Sequence, residues 1–225
     1  MRLIRTLISL LVVLFLLAAG SESLSAAVIE RDWKTPGDGL LTYDTANKRE
    51  WLDLSQTILD DRFPGSGADF LEIREARYQY VVGQAVPGGL FDGFTVAKSV
   101  DAITLAQSAG IDTSTDDYVT NVDATLELGK LLSFAFNYLP TGGAEAAGLL
   151  DEVFNIGFEF RAAARFHVSA GNRAGLLIGS LNQQVTSHPA VMLYRSVPEP
   201  NCSMVIFFAV ISVNLRIRFV SRHSS

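Results

Sequence analysis

Apolar and polar positions divide the chain into an apolar start, a mixed body and an apolar end. Thr6 to Gly20 is an uncharged, predominantly apolar run. In the body, Leu41-Thr42-Tyr43-Asp44 and Arg49-Glu50-Trp51-Leu52-Asp53-Leu54 are short runs of aliphatic and aromatic residues separated by polar Thr45 to Lys48. That pattern predicts a β-hairpin. Pro64-Gly65-Ser66-Gly67 predicts a turn, Ala68 to about Tyr78 a helix, and Pro87-Gly88-Gly89 a second break. Arg74 and Arg77 interrupt the apolar face of that helix. Phe91 to Ala97 reads as a short strand.

Two further helices follow from the 3.6-residue period. Ser99 is placed to cap the first, Gly110 to terminate it, and Val100, Ile103 and Ala106 to share its apolar face. The second runs from Val122 to about Asn137, with Ala124, Leu128, Leu131, Ala135 and Tyr138 in helical register. Asp123 falls in its first turn, where the helix dipole favours a negative charge. Strands are expected at Leu149–Phe154, Phe158–Val168, Gly175–Leu181 and Ala190–Arg195. Strands, then helices, then strands predict an α+β fold. We expect one mixed or antiparallel sheet with two or three helices.

Composition sharpens this picture. With 225 residues, 48% hydrophobic and 19% charged, the chain has ample material for a folded core. Its net charge of −6 gives no broad electrostatic footprint for nucleic acid. The one cysteine, Cys202, allows no intrachain disulfide.

The ends carry the clearest functional signals. Arg2 and Arg5 precede the apolar run, and Ser25-Ala26-Ala27 supplies small residues after it. This is the pattern of a secretory signal peptide over residues 1–27, cleaved between Ala27 and Val28. The run is shorter than the roughly 20 residues of a spanning helix. Residues 28–196 then form the exported domain. Residues 197–225 contain Pro198-Glu199-Pro200, an apolar stretch at 204–215, and Arg216, Arg218 and Arg222. The prolines fix φ and remove two donors, so the segment reads as extended. The apolar stretch is expected to enter the membrane, with the arginines on the cytoplasmic side.

This C-terminal order resembles the PEP-CTERM sorting signal. The resemblance rests on Pro198, Glu199 and Pro200, with Val197 in front, and covers about the last 30 residues. It implies export by the secretion machinery, recognition by exosortase, and a surface or extracellular-matrix location in a Gram-negative-type bacterium. Asn201, Cys202, Ser203, Ser212 and Asn214 dilute the apolar stretch relative to the family pattern. The body, through residues 41–54 and Gly88-Gly89-Leu90-Phe91-Asp92-Gly93-Phe94, is similar to bodies found ahead of such tails, and distantly to C-type-lectin-like domains.

Catalytic signatures are missing from the sequence. His167, His188 and His223 share no metal-type spacing, and there is no Gly-x-Ser-x-Gly elbow or phosphate loop. We therefore expect no enzymatic activity and no cofactor. Asp112, Asp116, Asp117 and Asp123 are the calcium candidates, though they lack the alternating order of a calcium loop and read first as a solvated acidic loop. Trp33, Tyr43, Trp51 and Tyr118 are the candidates for stacking on sugars; Trp51, between Glu50 and Leu52 in a strand, is expected in the core. Three functions are weighed, in this order: an exported, non-enzymatic surface protein; a lectin-like module for extracellular polysaccharide, with or without calcium; and a secreted hydrolase with an unrecognised site.

Overall fold

The polar turn between the first two apolar runs closes a hairpin of β2 (Leu41–Asp44) and β3 (Arg49–Leu52). The Asp44 carboxylate accepts the Ala46 and Asn47 N–H groups, and Lys48 takes the left-handed conformation that such a four-residue loop requires. A computed structural model describes residues 28–58, 70–114, 119–132, 144–155, 159–169, 173–179 and 190–198. Among them are nine strands and four helices, an α+β arrangement. The helices are α1 (Ser55–Ile58), α2 (Phe70–Gln84), α3 (Ser99–Ser108) and α4 (Val122–Leu131).

The strands form two sheets, not the single sheet expected, and the helices are one more than the two or three expected. The first sheet has the order β1-β2-β3-β9-β4 and is antiparallel throughout. Its remaining strands are β1 (Val28–Arg31), β4 (Thr95–Val96) and β9 (Leu193–Ser196). The second has the order β7-β6-β5-β8, built from β5 (Ala144–Asn155), β6 (Glu159–Val168), β7 (Ala174–Gly179) and β8 (Ala190–Val191). Only β5 and β8 run parallel within it.

The sheets are joined by one extended run. Ala190 and Val191 pair with Gly148 and Leu149, and after Met192 the chain enters the first sheet between β3 and β4. Met192 itself bonds across the seam. Its N–H donates to Leu149 O (3.1 Å), and its carbonyl accepts from Ala97 N–H (2.9 Å). The two-residue alternation of a strand continues through the junction. Ala190 and Met192 enter one core cluster, with Trp51, Leu105, Leu128 and Phe166, while Val191 and Leu193 enter the other, with Leu41, Leu52, Tyr78 and Phe91. The first cluster is closed by α3 and α4, the second by α2 and the turn at Phe91 to Phe94.

Local chemistry sets the helix ends. At α3, Asp101 accepts the Lys98 N–H (2.9 Å) and pairs with Arg49 (2.8 Å). Lys98, not Ser99, is the N-cap. That start buries Ala102, Leu105 and Ala106 and leaves Val100 64% exposed, so the buried face is displaced from the one expected. Gly110 stands at φ +85°, with Gly110 N–H on Gln107 O and Ile111 N–H on Ala106 O, a Schellman ending. Helix α4 stops at Leu131, short of the Asn137 expected. The Leu131 carbonyl accepts the Thr42 hydroxyl (2.8 Å) and the Leu132 carbonyl the Leu54 N–H (3.1 Å), which satisfies groups a helix end leaves open. Phe91 to Ala97 is a turn followed by a two-residue strand, and α2 extends to Gln84, beyond the expected Tyr78.

Gly148 lies beneath the junction. A Cβ there would fall 2.2 Å from Met192 Cγ and 3.3 Å from Leu54 Cδ2. Gly148→Ala should therefore lower unfolding stability by about 1–3 kcal/mol in urea titration, the cost of overpacking a closed core. Gly179→Ala, where a Cβ meets nothing within 4 Å, should leave the midpoint unchanged.

Candidate functional site

A register shift in the longest strand pair builds the cleft. Between Leu149 and Val153 of β5, the residues Leu150, Asp151 and Glu152 face only Ala162 of β6. Bulges of this kind redirect side chains. Asp151 N–H donates to Ala97 O (2.8 Å), Asp151 Oδ1 accepts the Tyr78 hydroxyl (2.5 Å), and Glu152 accepts the Ser99 hydroxyl. Beyond the bulge, the β5–β6 end and α2 enclose a cleft of about 350 Å³ lined by Arg74, Glu75, Val153, Glu159, Phe160 and Arg161.

Arg161 organises this cleft. Its guanidinium donates from Nε and Nη2 to the two Glu75 oxygens, at 3.0 and 2.9 Å, and lies 3.3 Å from the centre of the Tyr78 ring. A planar fork on a carboxylate and a flat cation on a ring are both arginine-specific arrangements. The Arg161 hydrogen bonds hold the Glu75 carboxyl below its ordinary value. Burial and the bond to Asp151 push the Tyr78 hydroxyl upward, so it stays a donor. Arg74, only 4% exposed, has its pKa lowered to about 10 by desolvation. Val153 is the open apolar part, 53% exposed.

The residues singled out by sequence lie elsewhere. Asp112 Oδ1 accepts the Ser114 hydroxyl (2.7 Å) and N–H (2.8 Å), which lowers the Asp112 pKa. The Asn121 side chain ties down the same loop, accepting the Asp112 N–H and donating to its carbonyl. Asp123 occupies the first turn of α4 as expected. Asp116 and Asp117 fall outside the described residues, and among the described residues no group of three or more His, Cys, Asp or Glu could hold a metal.

Trp51 is 1% exposed and packs on Tyr194, in the core as expected. Tyr43 lies under Arg31, and Trp33 against Phe91 and Phe94. Tyr118 lies outside the described residues. His167 stands in β6 opposite Glu145, its pKa lowered first by desolvation and then by Arg165. Val28 is the first residue of β1, paired with Asp44, and Pro198 is exposed two residues past β9. Ala27, Glu199, Pro200, His188, His223 and residues 204–215 lie outside the described residues. Among the described residues no helix is long and apolar enough to cross a membrane.

Compared with known proteins, the chain matches no family model, no curated protein and no solved structure. The cleft was not found by sequence reasoning. Its one signal was Arg74 and Arg77 within the buried face of α2, where both prove to be under 5% exposed.

The Glu75–Arg161 pair gives a pH prediction. A carboxyl whose pKa is lowered by folding stabilises above its ordinary value of 4.5, and that contribution fades as pH falls through the lowered value. Glu75 is half exposed, so the pair is worth about 0.5–1 kcal/mol. Glu75→Gln should be less stable than the parent by that amount at pH 7 in urea titration. The two should converge as pH falls below 4.5.

Proposed function

We propose that the chain is an exported, non-enzymatic protein of the cell surface or extracellular matrix, sorted through its C-terminal segment by an exosortase of a Gram-negative-type envelope. The sequence order of signal peptide, body, Pro-Glu-Pro, apolar stretch and basic end supports it. The observation that carries it is the way the body ends. Val197 N–H donates to Lys48 O (2.8 Å), closing the ladder at the end of β9, and the next residue, Pro198, is exposed. The motif thus begins one residue after Val197, the last backbone anchor among the described residues. Pro198 has no N–H to extend the ladder.

The N-terminus supports the same route. β1 (Val28–Arg31) lies at the edge of the first sheet and, among the described residues, pairs with β2, so cleavage after Ala27 would keep this strand whole. An edge strand docks without disturbing the strands inside the sheet. The signal peptide at 1–27 and the membrane stretch at 204–215 belong to this proposal, as do the secretion machinery and exosortase as partners.

Changing Pro198, Glu199 and Pro200 together to Ala tests the reading. The variant should melt like the parent, since exposed substitutions away from packing stay within about 0.5 kcal/mol. It should be exported with an N-terminus at Val28, yet fail to be sorted to the surface. Terminal mass spectrometry and surface labelling read the outcome. Surface display equal to the parent would sink the sorting reading.

A further inference from the structure

We infer that β7 is a docking edge for a second copy of this chain, pairing antiparallel with the β7 of that copy about a two-fold axis at Leu177. The inference does not depend on the sorting tail. A sheet edge presents unpaired N–H and C=O groups to any strand that can reach it, so proteins shorten, charge or bend their edges. Among the described residues the two sheets end in β1, β4, β7 and β8, and three of these edges are guarded in this way. β4 and β8 are two residues each, and β1 carries Glu30 and Arg31. β7 has no such guard. Ala174-Gly175-Leu176-Leu177-Ile178-Gly179 holds no charge and no proline, and its register with β6 runs through six consecutive pairs without a bulge. Among the described residues β6 is its one partner strand, and Leu177 stands 38% exposed.

The residues of the strand select the partner. Leu176 and Ile178 pack against the core cluster that α3 and α4 close, so Gly175, Leu177 and Gly179 lie on the other face. A two-fold axis through Leu177, normal to the sheet, keeps each face continuous. It sets Leu176 opposite Ile178 of the second copy, Leu177 opposite its own equivalent, and Gly175 opposite Gly179. The strand is nearly a palindrome in this register. Aliphatic side chains meet on both faces, and glycine meets glycine. A Cβ at Gly179 would find nothing within 4 Å, so the backbone of the second copy has room to approach. Slipping by one residue sets core-facing side chains against outward ones, and slipping by two sets Leu177 against a glycine. Arg165, beside Leu177 in the β6–β7 register, is paired with Glu145, so no unmatched charge is brought to the axis. Such self-complementarity is what a closed two-fold dimer requires, and main-chain pairing at the edge supplies the affinity.

Cross-linking and sedimentation of the full chain in mild detergent test the inference. In a Cys202→Ser background, Leu177→Cys should close a disulfide between copies on oxidation with diamide, since facing Cα atoms of an antiparallel pair stand about 4.5–5.5 Å apart. Val100→Cys, 64% exposed on α3, should not. Leu177→Lys should weaken dimerisation at least about tenfold, with the far-ultraviolet spectrum unchanged. Mixing it with Leu177→Glu should restore a dimer that neither variant forms alone, because opposite charges then face each other across the axis. Association through the apolar stretch at 204–215 would be indifferent to residue 177. If Leu177→Lys fails to fold, the two cysteine variants decide. A parent that stays monomeric up to about 1 mM, which would leave the edge to a strand of another protein, would overturn the assignment. So would a dimer that Leu177→Lys leaves unchanged, or cross-linking at Val100 as fast as at Leu177.

Discussion

The architecture depends on one extended run, residues 190–196, that belongs to both sheets. Its first residues complete the edge of the β5–β6–β7 sheet, and its last residues fill the interior of the hairpin sheet. From Ala190 to Tyr194 alternate side chains of the run join the two core clusters in turn, so neither cluster closes without it. The backbone is equally committed. The buried Thr57 hydroxyl accepts the Val191 N–H (2.9 Å), Met192 bonds to Leu149 and Ala97, and Ala97 O accepts the Asp151 N–H. Burying these polar groups unpaired would cost about 1–3 kcal/mol each, so the seam holds only in this register.

The same run connects the core to the cleft. By fixing Ala97 and Asp151, the seam locates the bulge of β5, and the bulge presents Asp151 to Tyr78 at the base of the cleft. At its other end the run finishes at Ser196, where the proposed sorting segment departs. Partly exposed arginines of this acidic body are held in defined ion pairs. Arg161 pairs with Glu75, Arg165 with buried Glu145, and Arg31 and Arg195 share Glu50.

Much of the local structure was legible in the residues. The β2–β3 hairpin followed from two short apolar runs around a polar turn, the end of α3 from Gly110, and the late strands from continuous apolar segments. The division into two sheets was not legible. Ala190 to Arg195 alternates as one strand, and nothing in it reveals that the pairing partner changes at Met192. The face of α3 was misjudged because Asp101 and Arg49, distant in sequence, fix where the helix starts. The cleft was hidden for the same reason. Its charged residues come from α2 and β6, 86 residues apart at Glu75 and Arg161, and a pairing at that distance leaves no spacing to read.

Amide hydrogen exchange of the native protein tests the central claim most directly. If residues 190–196 hold both sheets together, the Val191 and Met192 amides should exchange only through global unfolding, at a free energy equal to that from urea titration and no lower than that of the β5–β6 ladder. The edge strand β1 should exchange faster. Exchange of Val191 and Met192 by a local opening well below the global free energy, with β2, β3, β5 and β6 still protected, would contradict the account.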